Sequence, residues 1–360
     1  MNALLGLAKN IAINNFKDLR YPHRFTYILT YRCQFKCRIC NIWNKPSAEE
    51  MTLEQIKKFF EKSNQFYWVN LSGGEIFLRS DLAEIIEVLF KNCKRLFLLD
   101  FPTNGFQTTV ILDTVKRILN TYKLPKLLVT VSLDGPRQVH EQLRNVEGSW
   151  LRAVETFRQL RKLRSRRFEV FFGMTLQPEN KFSFPQTIRE VDKEIGAVKT
   201  RDFHINLMQR SEHYYGNAEM AESQDTDGLW ESFERIARLR DDFPLSPVGL
   251  LERSYQRLSR KYLDKRVTPL PCQALSASFF MDPSGNVYPC SIYDKPLGNI
   301  ADFDYDIRML WDTEYRRRSR KEIRQGSCPQ CWTPCEAYQS ILANMLPFAR
   351  RMKIDQGNLS

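Results

Sequence analysis

The chain has 360 residues, with 54 Lys and Arg against 42 Asp and Glu, which makes the net charge +12. That length accommodates one large α/β unit plus a smaller one around a sizeable core, and 42% hydrophobic with 27% charged residues excludes a disordered or low-complexity chain. No apolar run approaches the ~20 residues of a membrane-spanning helix. The basic balance suits an acidic partner, such as a phosphorylated small molecule, an anionic lipid headgroup or nucleic acid, without choosing among them.

In chain order, residues 1–23 read as an amphipathic helix. Leu4, Ala8, Ile11, Ala12, Phe16 and Leu19 fall near one face, and Tyr21-Pro22 breaks it. This helix is expected to pack on the body of the protein, with peripheral membrane contact not favoured. It is a poor signal peptide, so the chain is expected to be cytoplasmic. Residues 24–216 alternate short apolar strands (24–31, 66–71, 95–101, 127–133, 168–176 and 203–208) with helical stretches (52–63, 81–93, 108–122, 149–164 and 184–195). Thr52 and Gln55 have the spacing of a capping box. Such alternation implies parallel strands joined by right-handed crossovers. Six units fall short of eight, so the expectation is an α/β fold with a partial (β/α)6 TIM-like barrel. Residues 217–270 form a charged helical bridge. Residues 271–345 form a small cysteine-rich domain with a hairpin at 279–290 and a helix near 311–324, and 346–360 is a tail.

The 9 cysteines are an odd number, clustered towards both ends of a chain with no export signal. That pattern favours metal ligands over disulfides. Cys33, Cys37 and Cys40 follow the first strand with C-x3-C-x2-C spacing. Three thiolates without a fourth ligand leave one iron of a [4Fe–4S] cube open, as a catalytic centre requires. A zinc site or scattered thiols remain alternatives on spacing alone.

Three further segments follow later strands: Leu71-Ser72-Gly73-Gly74-Glu75, Thr103-Asn104-Gly105, and Val131-Ser132-Leu133-Asp134-Gly135-Pro136 with Arg144 downstream. Together with the cysteine loop they resemble the radical S-adenosylmethionine (radical SAM) superfamily. The resemblance implies that Cys33, Cys37 and Cys40 hold a catalytic [4Fe–4S] cluster. It implies that Ser72, Gly73, Gly74 and Glu75 bind the methionyl amine, that Asn104 lies in the cofactor site, and that Ser132 and Arg144 contact ribose or carboxylate. Ile76 stands where the family usually has Pro, and Ile39 where it often has an aromatic residue. Adenine packing is then expected on Phe35 or around Leu207. His140 is expected to be a helix-start residue bonded to backbone, His204 a satisfied strand residue, and Cys93 a free buried thiol.

Near the other end stand Cys272, Cys290, Cys328, Cys331 and Cys335, with Gly285 between the first two. Distant thiols that return to one place staple a small domain, and a structural zinc ribbon would fit them as well. The pattern resembles the SPASM/twitch extension of radical SAM enzymes. Five thiols fill one site and not two, so one auxiliary [4Fe–4S] cluster is expected. Its ligands would be Cys272, Cys290 and Cys328 with either Cys331 or Cys335.

The resemblance implies reductive cleavage of S-adenosylmethionine to a 5′-deoxyadenosyl radical that removes hydrogen from a substrate. The electron would come from a partner such as flavodoxin or ferredoxin. The polar, aromatic stretch 206–217 is a candidate substrate loop. The positive charge slightly favours a small anionic or lipid-linked substrate over a peptide, because the segment before the first strand is shorter than the ~40 residues of an independent leader-binding domain. A peptide-modifying maturase is the alternative. Outside the enzyme class stand a non-enzymatic electron carrier and a zinc nucleic-acid-binding protein. The electron carrier would not use the Glu75 segment or the Ser132–Arg144 arrangement, the zinc protein would be colourless with a salt-steep affinity for DNA or RNA, and no nucleic-acid partner is expected.

Overall fold

The computed structural model describes residues 2–45, 49–219, 228–239 and 247–346. The expected tail after residue 346, and 220–227 and 240–246 of the expected bridge, lie outside the described residues. After α1 (Ala3–Asn14), strands and helices alternate. They are β1 (Arg24–Thr30), α2 (Leu53–Lys62), β2 (Trp68–Gly73), α3 (Leu82–Asn92), β3 (Leu98–Thr103), α4 (Thr108–Thr121), β4 (Lys126–Ser132), α5 (Arg137–Arg144), α6 (Ser149–Arg161), β5 (Phe168–Leu176), α7 (Phe184–Ile195) and β6 (Phe203–Leu207). These strands lie side by side in the order β6-β5-β4-β3-β2-β1, and every neighbouring pair is parallel. This is the six-unit open barrel that the alternation predicts.

Local chemistry accounts for the elements. The first turn of α2 is closed reciprocally: the Gln55 amide donates to Thr52 Oγ1 at 3.3 Å and the Thr52 amide to Gln55 Oε1 at 2.8 Å. Its apolar face, Ile56, Phe59 and Phe60, is buried. There Phe25 of β1 stacks on Phe66 with ring centroids 5.2 Å apart and on Phe279 at 4.6 Å. Each such buried ring contributes roughly 1.5–3 kcal/mol. His140, expected at a helix start and bonded to backbone, sits in the first half of the short helix α5. The ring is fully buried, and Nδ1 accepts the Asp134 amide at 3.1 Å.

The bridge contributes α8 (Leu229–Leu239) and α9 (Pro247–Lys265). Then come β7 (Phe280–Met281), β8 (Asn286–Tyr288), β9 (Gly298–Asn299), α10 (Ile307–Trp311), α11 (Glu314–Arg324) and α12 (Pro334–Ala343). The hairpin β7–β8 is where the sequence places it, but it is joined to the barrel. β7 pairs in parallel with β1, Thr26 opposite Phe280 and Tyr27 opposite Met281, so one sheet of nine strands runs through both parts. The open edge of β1 would otherwise present unpaired backbone groups.

Helix α1 seats Gly6, Leu7 and Asn14 on the body. A Cβ at Gly6 would lie 2.4 Å from Tyr67 Oη, which explains the missing side chain there. Asn15 Nδ2 donates to the Leu342 carbonyl at 2.9 Å, while Leu4, Leu5 and Phe16 face outward. Among the described residues no helix is long and apolar enough to cross a membrane.

Candidate active site

Successive side chains of a strand point to opposite faces, and here the inward faces are polar. Thr26 of β1, Asn70 and Ser72 of β2, Thr130 and Ser132 of β4, Thr175 of β5 and Asn206 of β6 all line one cavity of about 340 Å³. The barrel interior is therefore a binding chamber and not the packed aliphatic core of an eight-stranded barrel. Cys33, Cys37 and Cys40 also line it, in the loop after β1.

Backbone contacts hold that loop. The Gly74 amide donates to Thr30 O and the Glu75 amide to Arg32 O, both at 2.9 Å. A Cβ at Gly74 would lie 2.3 Å from Arg32 O and 2.8 Å from Cys33 Cβ, so only glycine lets the two segments meet. On the other side, Asn217 Nδ2 donates to Ile39 O at 2.8 Å and the Asn41 amide to Tyr215 O at 2.8 Å. The loop 206–217 thus clamps the cysteine loop. It also reaches the cavity through Tyr214, whose hydroxyl lies 3.0 Å from Ser72 Oγ.

The sequence-derived cofactor residues converge here with one difference. Ser72, Gly73, Gly74, Asn104, Ser132 and Arg144 line the cavity, as do Phe35, Ile39 and Leu207. Glu75 does not: its carboxylate is turned behind the wall. It accepts from the Asn104 amide at 2.8 Å and from Thr103 Oγ1 at 3.0 and 3.1 Å, tying the ends of β2 and β3 together. Burial pushes it up to about 7 despite those bonds. Asn104 Nδ2 is buried without a hydrogen-bond partner among the described residues, as an amide awaiting a ligand would be. Arg144 Nε donates to Asp134 Oδ2 at 2.6 Å, Nη1 lies 3.9 Å from Cys37 Sγ, and Asp134 is fixed by the Thr175 amide at 2.9 Å. His204 lines the chamber, stacked on Phe171 at 4.0 Å, and Cys93 is buried.

The floor was missed from sequence. Arg24 and Asp100 both line the cavity, and the Arg24 guanidinium stands 4.9 Å over the Trp68 ring. Asp100 accepts from Trp68 Nε1 at 2.5 Å and from Asn70 Nδ2. Burial raises its carboxyl, with Arg24 opposing. The available signal was a charged residue at an inward position of each strand. A second cavity, of about 350 Å³ between α8 and α9, contains none of the cysteines.

Cys272, Cys290, Cys331 and Cys335 all have the Glu336 carboxylate among their charged neighbours. Burial raises the Cys290 thiol well above its ordinary value, and Cys331, Glu336 and Cys272 add to it; Cys331 has Cys328 beside it as well. Sulfurs of this group accept N–H bonds. Cys272 takes one from the Ala274 amide at 3.5 Å, Cys290 from the Tyr293 amide at 3.4 Å, and Cys328 from Gln330 Nε2 at 3.5 Å. Cys335, which lines the chamber, has Arg24 and Asp100 as further charged neighbours.

Residues 27–191 match the radical SAM superfamily, and residues 272–335 match SPASM, an iron–sulfur cluster-binding domain. The chain belongs to the radical SAM superfamily. It is 26% identical over 333 residues to the antilisterial bacteriocin subtilosin biosynthesis protein AlbA of Bacillus subtilis, covering 89% of this chain and 68% of the relative. It is 27% identical over 335 residues to the mycofactocin maturase MftC of Mycolicibacterium smegmatis, covering 88% and 76%. Among solved structures, Streptococcus suis SuiB bound to the precursor peptide SuiA shares the fold at a TM-score of 0.57 and 14% identity, over 88% of this chain and 70% of SuiB.

A radical SAM enzyme uses a [4Fe–4S] cluster and S-adenosylmethionine, which supply the one-electron chemistry that breaks unactivated C–H bonds. The residues present fit these groups. Burial pushes the Cys33 thiol up to about 12 and the Cys40 thiol up to about 11, with Cys37 adding to both. Such a trio becomes anionic only against a cationic centre, as an iron cluster provides.

Proposed function

We propose that this radical SAM enzyme modifies a peptide, breaking a C–H bond of a residue held in the barrel. The observation that carries the reading is likeness along 88–89% of the chain to AlbA, MftC and peptide-bound SuiB. It supports a peptide over the small anionic or lipid-linked substrate that the net charge suggested. That charge is a property of the whole surface, whereas the chamber floor sets Arg24 against the Asp100 carboxylate.

In this reading Cys33, Cys37 and Cys40 hold the catalytic cluster. Ser72, Gly73, Gly74, Asn104, Ser132 and Arg144 surround S-adenosylmethionine. Glu75 works from behind by fixing the Asn104 backbone. Arg144 is preset by Asp134, so its guanidinium needs little reordering on binding. The apolar wall of Phe35, Ile39 and Leu207 is suited to the adenine. A flavodoxin or ferredoxin supplies the electron.

The test is anaerobic reconstitution with iron and sulfide counting, then S-adenosylmethionine with dithionite in the presence of synthetic peptide pools. The expected result is peptide-stimulated 5′-deoxyadenosine and a mass change in one peptide. Both should vanish in Cys33→Ala/Cys37→Ala/Cys40→Ala. Stimulation by phosphorylated small molecules and not by any peptide would overturn the peptide reading.

A further inference from the structure

The cavity between α8 and α9 takes no part in the site described so far, and its lining is unusual for two helices in contact. Packed helices ordinarily turn apolar residues towards each other. Here Arg253, Arg257 and Arg260 of α9 line the cleft, at i, i+4 and i+7 on one face of the helix. At about 1.5 Å per residue they make a ladder roughly 10 Å long. Among the described lining residues the one carboxylate is Glu234 of α8, and it is already shared. Its Oε1 accepts Arg260 Nη1 at 3.1 Å and its Oε2 accepts Arg238 Nη2 at 3.4 Å. Three guanidiniums against one carboxylate leave these lining residues with an excess of positive charge, and like charges one turn apart destabilise a helix. An anionic occupant removes that cost.

The α8 side of the cleft is largely apolar. Trp230, Phe233 and Ala237 stand there at i, i+3 and i+7, and the Arg260 guanidinium lies 4.8 Å over the Trp230 ring. A basic rim beside an aromatic floor matches a chain segment that carries both carboxylates and apolar side chains. Phosphate alone would leave the indole uncovered, and a flat protein surface cannot enter a cleft of about 350 Å³. The position fits as well, because the other face of α9 packs on the chamber rim. There Tyr262 meets the Gln209 side chain, and Tyr255 lies against the Leu207 backbone and donates to the Trp332 carbonyl at 3.2 Å. Leu207 and Gln209 both line the chamber. The thickness of one helix, about 10 Å, therefore lies between cleft and chamber, and about three extended residues span it.

We propose that the cleft between α8 and α9 docks an acidic, amphipathic segment of the peptide substrate, holding it while a residue a few positions away enters the barrel. This rests on the peptide reading above and names the surface that selects the peptide. Carboxylates of the segment pair with Arg253, Arg257 and Arg260, and its apolar side chains cover Trp230 and Phe233, as a helix does when it lies in a groove. The basic balance of the chain then serves recognition outside the chamber, while the chamber floor sets Arg24 against Asp100. Anchoring in the cleft also raises the effective concentration of the reacting residue at the barrel mouth.

The experiment uses the full-length reconstituted protein and a short fluorescein-labelled peptide of glutamate and leucine, compared with the same peptide carrying glutamine for glutamate. Binding is read by fluorescence anisotropy at low and high salt. Arg253→Glu/Arg257→Glu reverses part of the ladder, and Arg257→Gln removes a single charge should the double variant fail to fold. Lys261→Glu reverses a charge on α9 outside the cleft lining. Binding of the glutamate peptide should weaken as salt rises, and the glutamine peptide should bind about tenfold more weakly. The double variant should lose about tenfold or more, Arg257→Gln less, and Lys261→Glu nothing, with Tm and iron content the same in all. Equal binding by the wild type and both arginine variants, or an equal loss in Lys261→Glu, overturns the proposal. So does a double variant that still binds the glutamate peptide but loses turnover with flavodoxin and not with dithionite, which assigns the cleft to the reductant. The peptide pools are then run on the wild type and Arg257→Gln. A raised KM for the stimulating peptide with kcat retained supports docking, and an unchanged KM overturns it. Pools that stimulate nothing, while the glutamate peptide still binds through the arginines, refute the peptide-modifying reading alone.

Discussion

Gly74→Ala tests whether the strand-two loop is a splint for the catalytic cysteines. The added Cβ would lie 2.3 Å from Arg32 O, 2.8 Å from Arg32 C and 2.8 Å from Cys33 Cβ. Carbon contacts settle near 3.5–4.0 Å, so the Arg32–Cys33 backbone must retreat by about 1 Å. No flexible side chain is available to absorb the shift, and overpacking of this kind costs about 1–3 kcal/mol. The displaced element carries the first thiol of the catalytic trio, so the loss should appear twice, as a lower Tm and as reduced iron in a protein already lacking the auxiliary thiols. Gly196→Ala separates geometry from generic glycine effects. Its φ of +64° penalises a side chain, but nothing lies within 4 Å of the new Cβ. It should cost about 1 kcal/mol and leave iron untouched. If Gly74→Ala and Gly196→Ala lower Tm equally and both retain full iron, the splint argument is wrong.

Arg24→Ala should destabilise by about 3–5 kcal/mol in urea unfolding, because it leaves the buried Glu336 and Asp100 without their cation; Arg24→Lys should recover part of the loss. His23 is fully buried beside Arg24 and bonded to Gln339 at 3.0 Å, and burial followed by Arg24 lowers its pKa from 6.5 to about 4. The folded state refuses a proton that the unfolded state accepts. This contribution is therefore complete above pH 6.5 and fades as pH falls towards 4, by on the order of 3 kcal/mol. Buried His140, held near 3, acts in the same direction, so unfolding against pH should show a shallower acid slope in His23→Gln but not a flat one. Thr52→Ala removes one half of the capping box and should cost about 1 kcal/mol, while reconstituted iron remains unchanged.

Much of the catalytic half was legible because its signals are local. The period of the strands, the Thr52 cap and the glycines of Ser72-Gly73-Gly74-Glu75 each act within a few residues, and the cysteine loop follows directly from β1. What was not legible depends on which way a side chain turns. Glu75 could be placed in the right loop, but its turn towards Thr103 and Asn104 depends on β3, whose neighbouring ends exist only in the folded sheet. Arg24 and Asp100 were readable in principle as inward charges on otherwise apolar strands, yet the partners that make Arg24 tolerable lie more than three hundred residues away at Cys335 and Glu336. The pairing of β7 with β1 involves a strand of only two residues, too short to leave a periodic mark. Ranking Cys331 against Cys335 had the same difficulty: both are thiols of one short stretch, and the opening turn of α12 decides that Cys335 lines the chamber.

That last turn explains how the two halves act as one structure. The Arg24 side chain crosses the chamber floor to the first turn of α12, β7 covers the edge of β1, and the Leu19 amide donates to Ser276 Oγ at 3.1 Å. His213 of the 206–217 loop bonds the Cys290 carbonyl at 3.0 Å and is gripped by Asp294. The cysteine-rich part therefore touches the barrel at the strand that launches the catalytic loop and at the loop that clamps it. A change in how the cysteine-rich part is held would pass to the chamber through these bonds. The cysteine-rich part thus helps set the shape of the chamber.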